Sequence, residues 1–238
     1  AGESVTTGTN NTLIGGLAGD ALTTGQYNVA LGYAALSGED EHSGNVAVGR
    51  FALLSQNAGA DAFNTAVGYD AGRNVTTGVQ NTLIGGLAGS ALTTGEKNIA
   101  IGYNALATED TGDRSVAIGH GALRYQNNDA SNYNTAIGYD AGTNVTTGVQ
   151  NTILGGLAGD ALTTGSYNTV LGYSALSSED TGGRSTAIGY FALSQQNNDS
   201  DNYNVAIGHS AGESVTTGTN NTIVGSLAGD ALTTGANN

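Results

Sequence analysis

Apolar residues come in short runs along this chain, and the runs keep fixed company. Each is opened by Asn and closed by Gly, then followed by two variable positions and an Ala: "NTLIGGLA", "NVALGYAA", "NVAVGRFA", "NTAVGYDA". Taking the Asn as position 0, the frame starts at Asn11, Asn28, Asn45, Asn64, Asn81, Asn98, Ser115, Asn134, Asn151, Asn168, Ser185, Asn204 and Asn221, and Asn238 ends the chain. The spacings run 17, 17, 19, 17 and then repeat, which closes a period of 70 residues. "NTLIGGLAGDALTTG" from Asn11 thus returns almost unchanged at Asn81, Asn151 and Asn221.

A unit of 17 or 19 residues is too short for most repeat folds. Helical hairpin repeats need about 33 residues and leucine-rich repeats about 20 to 29. Glycine at position 4 of every frame, with much Thr and Asn around it, also works against helix. A three-residue β-type run broken by Gly and followed by turn residues ("TTG", "SGED", "QNND") reads instead as one side of a coil of parallel β-structure. The expected fold is all-β: a parallel β-solenoid, or β-roll, of 17- and 19-residue rungs grouped in 70-residue super-repeats. The super-repeats are 11–80, 81–150 and 151–220, with a partial one at 221–238, and 1–10 reads as the end of a preceding rung. The whole of 1–238 is expected to be one continuous solenoid. Each rung should carry the strand, a second and weaker extended run, and two turns.

In such a fold equivalent positions stack about 4.8 Å apart. The frame then predicts columns. Asn11, Asn28, Asn45, Asn64, Asn81, Asn98, Asn134, Asn151, Asn168, Asn204 and Asn221 should form an amide ladder, each bonding its neighbours and turn backbone. Ser115 and Ser185 should be its weakest steps. The aliphatic residues at position 3 (Ile14, Leu31, Val48, Val67, Ile84, Ile101, Ile118, Ile137) are expected to face the interior. The Ala at position 7 marks a packing limit between two walls. The rung opened by Asn11 is the most apolar, and Leu13, Leu17 and Leu22 exceed what so thin an interior should hold, which points to a neighbouring chain.

The frames "NVAVGRFAL", "SVAIGHGAL" and "STAIGYFAL" resemble the head repeats of YadA-type trimeric autotransporter adhesins. "NTAIGYDAGTNVTTGVQNT" is similar to repeats of bacterial and phage tail-fibre-like proteins. The resemblance covers essentially the whole chain, although the units are longer than in the adhesin heads. It implies a left-handed roll, usually a homotrimer, that serves as an extended, non-enzymatic adhesive or spacer outside the cell.

Composition narrows the partners. Cys, Pro, Met and Trp are absent, so no disulfide, thiolate metal site or cysteine nucleophile exists. The formal net charge of -14 argues against nucleic acid and against anionic lipid. No stretch approaches 18 consecutive apolar residues, so no membrane insertion is expected. The opening "AGESVTTGTNNT" recurs at Ala211 to Thr222, so the chain reads as a piece of a longer repetitive protein, with any signal or anchor elsewhere.

Several constellations could carry chemistry. "GHSAG" around Ser210 matches a nucleophile elbow, but the equivalent stretches read "GYDAG" at Gly68 and Gly138, which removes its appeal. Hard-cation ligands, Ca2+ above all, find their best candidates in Asp129, Asp199 and Asp201 with Asn127, Asn128, Asn197 and Asn198 around them; surface turns are the plainer reading. No other cofactor is implied. Glu39, Asp40, Glu109, Asp110, Glu179 and Asp180 read as an acidic stripe. The column at position 5 carries Tyr33, Tyr69, Tyr103, His120, Tyr139, Tyr173, Tyr190 and His209, with Arg50 among them. It suits a stacking ladder, a subunit interface or a grip on sugar rings. The adjacent threonines of the "TTG" turns invite an ice-binding reading, but they are missing from two rungs in four. The expected function is a non-enzymatic extracellular fibre or rod module, on a cell surface or virion, that gives reach and display and associates with itself as a trimer or filament. The alternative is a glycan-binding adhesin or tail-fibre segment.

Overall fold

The computed structural model describes all 238 residues, and it is an all-β solenoid of thirteen parallel three-residue strands without helix. The strands follow one another in chain order. Two compact units are distinguished. The first comprises 1–115 with 127–131, and the second comprises 116–126 with 132–238.

In the first unit β1 (Thr12–Ile14), β2 (Val29–Leu31), β3 (Val46–Val48), β4 (Thr65–Val67), β5 (Thr82–Ile84) and β6 (Ile99–Ile101) pair in parallel without a register shift, so Leu13 lies opposite Ala30 and Ala30 opposite Ala47. In the second unit β7 (Val116–Ile118), β8 (Thr135–Ile137), β9 (Thr152–Leu154), β10 (Thr169–Leu171), β11 (Thr186–Ile188), β12 (Val205–Ile207) and β13 (Thr222–Val224) do the same.

The second extended run expected in each rung is absent, and the reason is backbone conformation. Positions 6 and 8 hold left-handed φ: Ala34 and Leu36 are both at +52°, Phe51 at +60° and Leu53 at +49°. A chain alternating this way cannot be a strand. It still stacks, because its amides donate to carbonyls of the next rung, as Leu36 N does to Ala52 O (3.0 Å) and Gly38 N to Leu54 O (2.9 Å).

Glycine at position 4 has a harder reason. Gly138 sits at φ +142°, a region closed to other residues, and a Cβ there would lie 2.5 Å from the carbonyl oxygen of Gly155. The rungs approach too closely at this corner for any side chain. The Gly of "TTG" meets a similar limit: a Cβ on Gly78 would lie 2.4 Å from Gly95 O.

The interior corrects the predicted columns. With three residues per strand only the middle one can point inward, and that is position 2: Ala30, Ala47, Ala66, Leu83, Ala100, Ala117, Ala136, Ile153, Val170, Ala187 and Ala206 are fully buried. Position 3 faces out, against expectation: Ile14, Leu31 and Ile84 are among the exposed large hydrophobics, and Val48, Val67, Ile101, Ile118 and Ile137 are half-buried on the same side. The Ala at position 7 is fully buried throughout most of the stack, as expected.

Positions 2 and 8 share one space. Where position 2 is Leu or Ile, position 8 is Gly, as in Leu83 with Gly89 and Ile153 with Gly159. A Cβ on Gly89 would come within 2.7 Å of Leu83 Cδ2. Where position 2 is Ala, position 8 is usually a buried Leu: Leu36, Leu53, Leu106, Leu123 and Leu193. The core is one side chain thick, so a Leu or Ile at position 2 excludes a side chain at position 8. The rungs of Ala66 with Gly72, Ala136 with Gly142 and Ala206 with Gly212 leave the space to their neighbours, as a Cβ on Gly72 would come within 2.6 Å of Leu83 Cδ1. Among branched residues at position 2, only the smaller Val170 shares a rung with a buried leucine, Leu176. The core therefore holds more than the sequence suggested. Leu22, Leu92 and Leu162 are fully buried, and of the leucines Leu13, Leu17 and Leu22 only Leu17 is left among the exposed large residues.

Candidate functional site

Each asparagine of the ladder except Asn45, whose Nδ2 is left without a partner, performs two jobs. Its Nδ2 donates to the carbonyl fourteen residues later and closes its own rung, as Asn64 does to Gly78 O (2.8 Å) and Asn151 to Gly165 O (2.9 Å). Its Oδ1 accepts the backbone N–H of the next ladder residue: Asn11 from Asn28, Asn28 from Asn45, Asn45 from Asn64, Asn64 from Asn81, Asn81 from Asn98, Asn98 from Ser115. Asn134, Asn151, Asn168, Asn204 and Asn221 repeat the pattern in the second unit. The amides thus satisfy turn backbone and meet their neighbours through the next ladder residue's backbone N–H.

At position 11 the interior holds a second column that sequence reasoning missed. It reads Leu22, Glu39, Gln56, Val75 in the first super-repeat, and Leu162, Glu179, Gln196, Val215 in the third, all fully buried. Glu39, Glu109 and Glu179 are therefore core residues and not the exposed stripe expected of them, whereas Asp40, Asp110 and Asp180 stay partly exposed in the turns. Aligning the frames would have shown this, because the carboxylates occupy the position of Leu and Val in neighbouring rungs.

Glu179 is well supplied with donors. Its Oε1 accepts from Gly182 N (2.7 Å), and its Oε2 accepts from Gln196 Nε2 (3.0 Å) and Asn202 Nδ2 (2.8 Å). Gln196 Nε2 also donates to Ser185 Oγ (2.9 Å), and Gln196 Oε1 accepts from Asn204 Nδ2 (2.7 Å). The glutamine so carries the ladder past its serine step. In the first super-repeat Ala62 stands where Asn202 stands in the third, and His42 where Gly182 stands. Glu39 Oε1 accepts from His42 N (3.1 Å) and lies 2.9 Å from His42 Nδ1, but Glu39 Oε2 is buried without a partner, as is Asn45 Nδ2. Burial pushes the Glu39 carboxyl up from the usual range, against the lowering effect of its His42 contacts.

The cation candidates do not converge. Asp129 Oδ1 accepts from Thr111 Oγ1 (3.0 Å), Asp199 Oδ1 from Thr181 Oγ1 (3.4 Å), and Asp201 Oδ2 from Arg184 Nε (2.7 Å). Ligand-type atoms do gather at Glu39, Asp40 and His42, all within 4.8 Å of one another. There, however, Asp40 Oδ1 already accepts from Glu41 N at 2.7 Å and Glu39 Oε1 faces the imidazole, so the turn uses its own oxygens. Ser210 is nearly buried in a turn at φ +51°, and the first threonine of "TTG" donates its hydroxyl to the next rung, as Thr76 does to Thr93 O (3.2 Å).

The outward side of the sheet carries three columns. Position 3 gives an aliphatic row, with Leu154 37% and Leu171 42% exposed. On one flank, position 5 gives rings stacked along the axis: His120 on Tyr139 (centroids 5.2 Å, planes 16° apart), Tyr173 on Tyr190 (5.6 Å, 16°) and Tyr190 on His209 (5.3 Å, 7°). In the first unit Tyr33 meets Phe51 edge-on, and Arg50 Nη1 donates to Tyr69 OH (2.9 Å). Tyr103 is exposed in the same column. On the other flank, the residue before each asparagine supplies exposed Tyr27, Phe63, Tyr133, Tyr167 and Tyr203, a second aromatic column that was not foreseen although "QYNV", "AFNT" and "NYNT" spell it. Arg184 lies between two of these rings, its guanidinium carbon 4.6 Å from the Tyr167 centroid and 5.8 Å from that of Tyr203. No helix is long and apolar enough to cross a membrane. Comparison of the chain with family models, with curated proteins and with solved structures finds no match.

Proposed function

We propose that the chain is a non-enzymatic extracellular fibre module, of a cell surface or virion, which gives reach and display and associates with copies of itself through the outward face of its sheet. The observation that carries this reading is the aliphatic row at position 3, an apolar strip that is exposed or half-buried from rung to rung and lies between two aromatic columns. Soluble monomers rarely leave such strips open, and a second solenoid with the same spacing would match it rung for rung. The aromatic flanks suit an interface, since Tyr, Phe and Arg are enriched in interfaces over the rest of the surface.

Sedimentation of the intact chain over a wide concentration range, with electron micrographs of the same samples, tests the proposal. Trimers or longer assemblies are expected, and replacing Leu154 and Leu171 by Lys should return them to monomers with the circular dichroism unchanged. A wild-type chain that stays monomeric at every concentration refutes it. A glycan-array signal lost on Tyr173→Ala, from a chain that is also monomeric, would favour the adhesin reading instead.

A further inference from the structure

The stacked column of the second unit has a gap. Rings occupy position 5 on the rungs of His120, Tyr139, Tyr173, Tyr190 and His209, but the rung between Tyr139 and Tyr173 carries Gly156. Both walls are exposed rings, Tyr139 58% and Tyr173 48%. Gly156 has ordinary φ and nothing crowds it: a Cβ there would stand 3.6 Å from Tyr173 Cδ2 and 4.0 Å from Tyr139 O. Glycine is thus not required by the backbone, as it is at position 4. The two rings lie two rungs apart, about 9.6 Å at the usual strand spacing. A flat ring in contact on both faces spans only about 7–8 Å, so it underfills the gap. A tetrahedral group, or a planar one standing edge-on between the two rings, fits better.

The electrostatics choose among such groups. A group midway is about 5 Å from each centroid, inside the ~6 Å range over which a ring face attracts a cation. Asp140 follows Tyr139 directly and holds the Tyr139 phenol above its ordinary range through their hydrogen bond. Asp160 lies on the rung of Gly156. Its carboxyl is pushed up, first by burial and then by the charge of Asp140, and its Oδ1 is buried without a partner. The equivalent gap in the first unit, Tyr69–Gly86–Tyr103, is different: Ser90 replaces Asp160, and Asp70 pairs with the cationic Arg73 (3.3 Å), where Asp140 faces the His120 ring (3.4 Å). In the adjacent aromatic column the protein fills a one-rung interval of its own with a cation, the guanidinium of Arg184 between Tyr167 and Tyr203.

We propose that the gap between Tyr139 and Tyr173, over Gly156, is a binding site for a weakly hydrated organic cation, a quaternary ammonium or guanidinium group. Such ions shed water readily enough to lie between two ring faces, which a metal ion does not. The site uses no residue of the aliphatic row and does not depend on self-association.

The test is NMR titration of the intact chain with tetramethylammonium, in parallel with N-methylguanidinium, at constant ionic strength. The ligand methyl protons should shift upfield and saturate in the millimolar range, with Tyr139 and Tyr173 ring signals moving together. Gly156→Tyr, which supplies the missing ring, should weaken binding at least about tenfold by filling the space between the faces. Tyr173→Ala, at an exposed position, should do the same if the first variant folds poorly. Asp140→Asn with Asp160→Asn should weaken it about threefold, since only long-range attraction is lost. Response to one cation but not the other identifies which group the site takes. Absence of saturation, undiminished binding by Gly156→Tyr and Tyr173→Ala, or an equal response to tert-butanol, an uncharged analogue of tetramethylammonium, each overturns the proposal.

Discussion

A carboxylate buried in a core one side chain thick survives only if donors surround it, and the chain performs that experiment on itself. Glu179 has Gln196, Asn202 and the Gly182 amide; Glu39 has lost the asparagine to Ala62 and keeps an unpartnered Oε2. Restoring the donor with Ala62→Asn should raise stability by about 1–2 kcal/mol, the range for a hydrogen bond to a charged group less some side-chain ordering. Denaturant midpoints of the two proteins decide it, and an unchanged midpoint refutes the pairing. The same carboxyl sets a pH dependence. Because burial raises its folded value above the 4.5 of a free glutamate, the folded state holds the proton more tightly than the unfolded one. Its contribution is complete below that value and is lost as pH rises through the folded one. Wild type should therefore lose stability relative to Glu39→Gln as pH climbs from about 4 toward neutrality. Parallel midpoints across that range would show that the burial has no energetic consequence.

At the level of the rung, the pairing of positions 2 and 8 is the packing rule, and it yields a sharper test than any single substitution. Ala47→Leu alone should overpack the core by about 1–3 kcal/mol, because Leu53 already fills the shared space. Leu53→Gly alone should open a cavity worth about 2–5 kcal/mol, partly offset by relief of a left-handed leucine. Together they recreate the arrangement of the Leu83–Gly89 rung, and a double-mutant cycle should return a coupling of about 2 kcal/mol or more. Additive effects would mean that the two positions do not share volume. This rule also explains how far the rung could be read beforehand. Period, strand position and turn glycines are local and were legible. Hydrophobicity pointed at position 3, where Ile and Leu are largest, although the interior takes position 2, where Ala dominates. The deciding signal was reciprocal size between two positions six residues apart, which no single column displays. Glu39 and Glu179 were misplaced for a related reason: a charged type suggests the surface until its column is seen to contain Leu22 and Val75. The ring gap at Gly156 was visible as a letter in a column, but its meaning required knowing that Tyr139 and Tyr173 stack along the axis.

At the level of the whole molecule two tendencies oppose each other. The apolar row favours contact between copies, while a net charge of -14 and a sequence pI of about 4.1 drive them apart at neutral pH. Lys and Arg number only 6, too few for ion pairs to dominate a repeated interface. Association through the sheet face should therefore strengthen with salt. Raising ionic strength from about 0.01 M to 0.1 M shortens the screening length from ~30 to ~10 Å, which removes repulsion between copies and leaves burial of the aliphatic row untouched. Sedimentation at fixed protein concentration should show larger assemblies at the higher salt, and again as pH falls toward the pI. The Leu154→Lys, Leu171→Lys protein should stay monomeric under both changes, because screening cannot replace the surface it has lost. Assemblies that dissolve as salt rises would place charged pairs, rather than position 3, at the centre of the contact.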